Sequence, residues 1–296
     1  MISETGVDTP PHPSSSGVWA TGRKLVNFLR SNRELTAGAW LTGLLVIVLL
    51  MPQLFTPYSP TAVDPSQALA APSFHHPFGT DEIGRDVLSR VVWGTRVTLG
   101  MVSLALSIPA LLGMILGLLA GYYRGSIDTI VSRFADLLLS FPSMITAVII
   151  TGVLGPGIRN GVLALVVVYI PMFFRVARSA TLAEANLTYV EAANALGVRR
   201  PTTLFKHISR NIVKQVIIQF TVLFPAAIQI AAALGFLGLG VQPPTPEWGA
   251  ILNQGKNYLF NAPWISVFPG VAIVWSALAL TLLGRGLQRA LDAASR

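Results

Sequence analysis

Six long apolar blocks, at 35–55, 97–122, 137–154, 162–176, 216–239 and 264–283, limit what this chain can fold into. A helix crossing bilayer hydrocarbon needs about 20 apolar residues, and five of the blocks approach or exceed that length. The fourth is short and is expected to continue past Arg175 and Arg178, whose long stems can carry their charges to the headgroups. Charged residues make up only 11% of the chain and hydrophobic ones 52%, a balance foreign to soluble domains. The reading is an all-α membrane protein of six spans.

The Lys and Arg residues divide unequally between the two faces that six spans define. Sixteen of the 21 fall before the first block, between the second and third, between the fourth and fifth, or after the sixth. Arg85, Arg90, Arg96, Arg159 and Lys256 fall on the other side. The positive-inside rule therefore places both termini in the cytoplasm of a multi-pass inner-membrane protein. The net charge of +8 is explained by topology; no basic stripe with interleaved aromatics suggests a nucleic-acid partner. Residues 1–33, with Pro10, Pro11, Pro13 and a serine run, are expected to be a disordered cytoplasmic segment. Residues 34–95 read as an anchor helix followed by an outer segment, 96–290 as the membrane core, and 291–296 as a cytoplasmic tail.

Three segments between or within the blocks carry information. The outer connection contains FGTDEIGRDVLSRVVWGTR, where Ile83, Val87, Leu88, Val91 and Val92 recur at helical spacing. With Thr80 as N-cap and the pairs Asp81–Arg85 and Asp86–Arg90, it reads as an amphipathic helix on the outer surface. Packing against the bundle is one use for it, and a gate or docking surface is the other. Gly113, Gly117 and Gly121 share one face of the second span and allow a second backbone to come close. In the loop 184–211, residues 189–196 favour helix, Gly197 suits a C-terminal cap and Pro201 can start a new turn. Glu191 beside Ala192 and Ala193 makes a narrow knob, surrounded by Arg199, Arg200, Lys206 and Arg210. Such a loop either rests on anionic headgroups or enters a groove of a partner.

Glu191-Ala192-Ala193, then Gly197 and Ile208, resembles the coupling loop of bacterial ABC importer permeases. FGTDEIGRDVLSR, GYYRGSIDTIVSRFADLLLSFP, YVEAANALG and LGFLGLGVQPPTPEWGAIL together resemble the second permease of dipeptide and oligopeptide importers, in order and on the appropriate sides. The resemblance implies the type I importer permease fold, with Glu191, Ala192, Ala193, Gly197, Arg199, Arg200, Lys206 and Ile208 docking on a cytoplasmic ATPase. It implies pairing with a homologous permease, two ATPase subunits or one fused ATPase, an external substrate-binding protein and a peptide substrate. Thr80, Asp81, Arg85, Asp86, Gln242, Glu247 and Trp248 would then flank the outer end of the pathway. Many relatives carry Leu-Pro after the loop's Ile. Here Ser209 and Arg210 follow Ile208, so the second half of the loop is expected to run straighter.

No phosphate-cradling loop is present. At Gly255-Lys256 the position of the first Gly holds Ala250, and Asn257 replaces the hydroxyl residue. The chain is therefore read as a non-enzyme that binds no cofactor, with ATP and Mg2+ held by partner subunits. Acidic residues are nearly absent from the span interiors, Asp136 standing at one edge, which leaves little for a proton relay. A gradient-driven transporter is the alternative of another class, and a nickel importer the alternative within the family. His75 and His76 are adjacent and point apart, so no metal site is assigned.

Overall fold

The computed structural model describes residues 33–294; residues 1–32, which hold nearly all of the expected disordered segment, and 295–296 lie outside the described residues. Among the described residues the regular structure is helical, apart from one isolated bridge between Thr80 and Asp86, and the stretch 51–86 is mostly turns and irregular chain. In chain order the principal helices are α1 (Arg33–Leu50), α2 (Val87–Tyr123), α3 (Gly125–Leu139), α4 (Ser143–Leu154), α5 (Ile158–Glu184), α6 (Thr188–Ala195), α7 (Ser209–Phe236), α8 (Trp248–Gly255) and α9 (Trp264–Ala294). Five helical segments are long and apolar enough to cross a membrane, and the bent pair α3–α4 supplies a sixth crossing if counted as one.

The expected third span differs in form. Its 137–154 stretch is not one rod, because α3 and α4 meet at 90° across Ser140, Phe141 and Pro142. Pro142 has no amide hydrogen to give and cannot continue the helix through that point. The 12 residues of α4 reach only about 18 Å, short of the hydrocarbon thickness, so α4 alone does not make a crossing. The fourth span does extend past Arg175 and Arg178, to Glu184. Their charges are met by α3: Arg178 pairs with Asp128, and Arg175 Nη2 donates to Asp136 Oδ1 at 2.7 Å. Both arginines thus have carboxylate partners within the protein as well as stems long enough to reach headgroups.

A second difference lies at the outer surface. The expected separate surface helix is the beginning of α2, which runs unbroken through the 95/96 boundary for 37 residues, about 55 Å. It starts at Val87 with Asp86 as N-cap, the Asp86 carboxylate accepting from the Ser89 amide. Thr80, expected as the cap, sits in the turn before it.

Packing is built on close backbone approach. Gly113, Gly117 and Gly121 of α2 face Phe173, Ala177 and Thr181 of α5, and a Cβ on Gly117 would lie 2.6 Å from the Ala177 Cβ and 2.7 Å from the Arg178 amide. Similarly, Gly38 of α1 lies against the α9 backbone at Leu283, and Gly286 against Leu35. Around the α2–α5 seam, Leu106, Leu118, Leu165, Tyr169 and Ile228 are fully buried. Outward faces keep Trp40, Leu111, Ile149, Val153 and Val274 exposed, as a helix bathed in lipid requires.

Gly117→Val should cost about 1–3 kcal/mol through overpacking at this seam, seen as a lower melting temperature in detergent. Gly100→Val, where an added Cβ meets nothing within 4 Å, should leave the melting temperature nearly unchanged.

Candidate functional site

The loop between α5 and α7 forms a compact protrusion. Val190 is buried on the inner side of α6, whereas Glu191, Ala192 and Ala195 are exposed, Ala193 is half-buried and Leu196 is 84% exposed. Gly197 adopts φ +75°, the left-handed conformation that closes a helix, and the Val198 amide returns to the Ala193 carbonyl at 3.0 Å. Two side chains lace the protrusion to the span ends: Tyr189 OH donates to Glu184 Oε1 at 2.8 Å, and Asn211 Nδ2 donates to the same oxygen. Burial and the neighbouring Glu184 carboxylate push the Tyr189 phenol up to about 12, so it remains a hydrogen-bond donor throughout the physiological range.

After Arg199 the chain makes one helical turn, Arg200–Thr202, then a π-helical stretch, Thr203–Ile208, and runs without interruption into α7. Leu204, Ile208 and Ile212 are fully buried. Ile208 therefore anchors the second half of the loop from inside. Arg199, Arg200 and Lys206 stay exposed around α6.

At the opposite end of α2 lies a buried ionic cluster. One carboxylate, Asp81, accepts from the amides of Ile83 and Arg85, from Arg85 Nε at 2.6 Å and from Arg90 Nη1. Arg90 Nη2 continues to Gln254 Oε1 of α8 at 2.7 Å. Asp81 and Arg90 are each 1% exposed. The expected Asp81–Arg85 pair forms, but on a turn and not a helix. The expected Asp86–Arg90 pair does not form, because Asp86 is used up capping α2 and accepting from Ser89, with His76 Nδ1 at 2.9 Å. Gly84, at φ +81°, lets this turn press on the Asp64 carbonyl, where an added Cβ would be 1.7 Å away.

Glu247 and Trp248 are also fully buried. The Glu247 carboxylate accepts from the Gly249 and Ala250 amides at 3.0 and 2.8 Å and from Thr98 Oγ1 at 3.1 Å, and Trp248 Nε1 donates to the Val91 carbonyl at 2.9 Å. Burial pushes the Glu247 carboxyl up while those three donors pull it back. Of the residues expected along the outer pathway, Gln242 is exposed, whereas Thr80, Asp81, Arg85, Asp86, Glu247 and Trp248 are buried in the chain's own packing. The buried carboxylates Asp81, Asp86 and Glu247 thus lie outside the spanning helices, in the turns before Val87 and Trp248. This buried charge lies at the end of α2 away from the 184–211 protrusion, with Thr98 and Gln254, distant in sequence, as partners.

Residues 113–296 match the model of the family described as the binding-protein-dependent transport system inner membrane component. The chain belongs to this family. It is similar over nearly its whole length to a dipeptide transport system permease protein of Alkalihalophilus pseudofirmus, at 36% identity covering 96% of this chain and 94% of the relative. A glutathione transport system permease protein of Pectobacterium atrosepticum is 39% identical over 90% of this chain and 88% of its own. A di/tripeptide transport system permease protein of Pseudomonas aeruginosa is 39% identical over 88% of each. The permease is thus a multi-pass membrane transport component, and α5 to α7 with the loop between them lie wholly inside the matched region.

In this permease Asp81→Asn should destabilise strongly, by about 3–5 kcal/mol, since two buried guanidinium groups lose their shared carboxylate. Asp136→Asn, whose pair with Arg175 is more than half exposed on both sides, should cost less than about 1 kcal/mol. Thermal unfolding of the two purified variants measures the difference.

Proposed function

We propose that the permease forms half of the translocation pathway of an ATP-driven peptide importer and is driven through the 184–211 loop by cytoplasmic ATPases. A homologous permease supplies the other half, two ATPase subunits or one fused ATPase bind ATP and Mg2+, and an external binding protein delivers the peptide. Both termini and the loop face the cytoplasm, a placement supported by the sixteen basic residues gathered on that side.

The observation that carries this reading is the shape of the protrusion. Its base is laced to α5 and α7 by Glu184, Tyr189 and Asn211, while Glu191, Ala192 and Leu196 are left bare at the tip. Small side chains allow close seating in a partner's groove, Glu191 supplies one directional charge, and Gly197 fixes the exit angle. A displacement of the tip must pass to α5 and α7, because Val190 below and Ile208 behind are buried and cannot yield independently. Arg199, Arg200 and Lys206 orient the docking electrostatically. The peptide substrate is supported by the names of the relatives, which transport dipeptides, di/tripeptides and glutathione.

Glu191→Lys should abolish copurification of the ATPase, because a reversed charge at a docking contact costs several kcal/mol; unchanged retention with unchanged transport would refute the coupling assignment. In membrane vesicles containing the assembled importer, an excess of unlabelled dipeptide should suppress labelled dipeptide uptake while Ni2+ leaves it unaffected. Suppression by Ni2+ alone would indicate a metal importer.

A further inference from the structure

Beside the loop, at the same end of the bundle, lies a concave cleft of about 310 Å³ lined by Tyr122, Tyr123, Arg124, Ala185, Val190 and Arg200. Val190 is buried and Ala185 half-buried, whereas Arg124 and Arg200, with Tyr122 and Tyr123, complete the lining and both arginines are exposed. Among the described residues neither Arg124 nor Arg200 has a carboxylate within 4 Å. The neighbouring acids place their hydrogen bonds elsewhere: Asp128 on Arg178 and Ser132, Glu184 on Tyr189 and Asn211.

Arg124 is held in place at a conformational cost. Its backbone is at φ +56°, ψ −155°, a region almost reserved for glycine, and Gly125 after it is at φ +62°. Its guanidinium donates to Asn186 Oδ1 at 2.9 Å and feels the Asp128 carboxylate through space without pairing with it. The helix α3 begins at the next residue with no side-chain cap, so its first amides add positive potential at this corner. Two arginines and two tyrosines around one cleft are residue types whose donors suit a tetrahedral oxyanion. The cleft opens where α2 ends in two tyrosines, the residue type concentrated at headgroup level.

We propose that this cleft binds a phosphate group, held between Arg124 and Arg200. The inference does not depend on the importer reading; it requires only the cleft and its charges. A phosphate there sits between the end of α2 and the base of α6, and ties the protrusion to the seam helix from outside.

The test is native mass spectrometry of the full-length chain in detergent, alone and assembled with its ATPase, titrated with phosphatidylglycerol or phosphatidylcholine. Arg124→Gln and Arg200→Gln should each lower retention of phosphatidylglycerol about tenfold, the loss of one charge-assisted contact. Lys214→Gln, a charge removed from an exposed position on α7, should leave it unchanged, and melting temperatures check that each variant is folded. A separate arm adds excess inorganic phosphate. Displacement of the lipid by phosphate supports the cleft as a phosphate site that soluble anions can also reach; lipid retention insensitive to phosphate supports a headgroup source. Equal retention of the two lipids, or retention independent of both arginines, overturns the proposal. If the arginine variants release the ATPase and leave lipid retention intact, the cleft is a protein contact and the proposal fails.

Discussion

Contact between the backbones of α2 and α5 is the interaction on which the other parts of this permease depend. Gly113, Gly117 and Gly121 bring α2 against Phe173, Ala177 and Thr181 at distances that no side chain would permit. Lipid provides no hydrophobic force between helices, so such association must come from shape and dispersion. The consequence is mechanical. α5 ends in the loop that carries Glu191, and α2 begins in the cluster around Asp81 and Asp86. A seam of this tightness makes the two helices one body, with the protrusion at one end and the buried ionic cluster at the other.

That cluster explains how irregular backbone is held at the far end. The turn 79–86 makes little regular structure of its own, so its amides and its charges are satisfied locally. Asp81 does most of this, accepting from two amides and two arginines. Through Arg90 and Gln254 the turn is joined to α8, and through Glu247 and Thr98 α8 is joined back to α2. Six of the residues that the resemblance places beside the outer pathway also fasten this chain's own turns, and Gln242, exposed at the surface, donates to the Gly238 and Gly240 carbonyls.

Much of the fold was legible because hydrocarbon forces helices and gathers basic residues at their ends. Apolar block length located the spans, and the small-residue spacing located the α2–α5 seam. Two features were not legible. Pro142 marks the end of a helix, but the 90° angle there and the pairs that α3 makes with Arg175 and Arg178 are features to which hydropathy is blind. The Asp86–Arg90 expectation failed because spacing identifies which residues can meet on a helix and not where the helix begins; capping by Asp86 removed it from the pairing. Glu247 illustrates the same limit, for a carboxylate ahead of a helical stretch signals a cap, whereas Thr98 is distant in sequence and gave no sign of its part.

The central claim is that the 184–211 protrusion faces the cytosol and receives force there. Because the chain has no cysteine, Ala192→Cys introduces a single thiol at the exposed tip. Labelling it with a membrane-impermeant maleimide in vesicles of opposite orientation is the most direct measurement. The account predicts labelling in inside-out vesicles, blocked when the ATPase is bound, and none in right-side-out vesicles; labelling in right-side-out vesicles would contradict it.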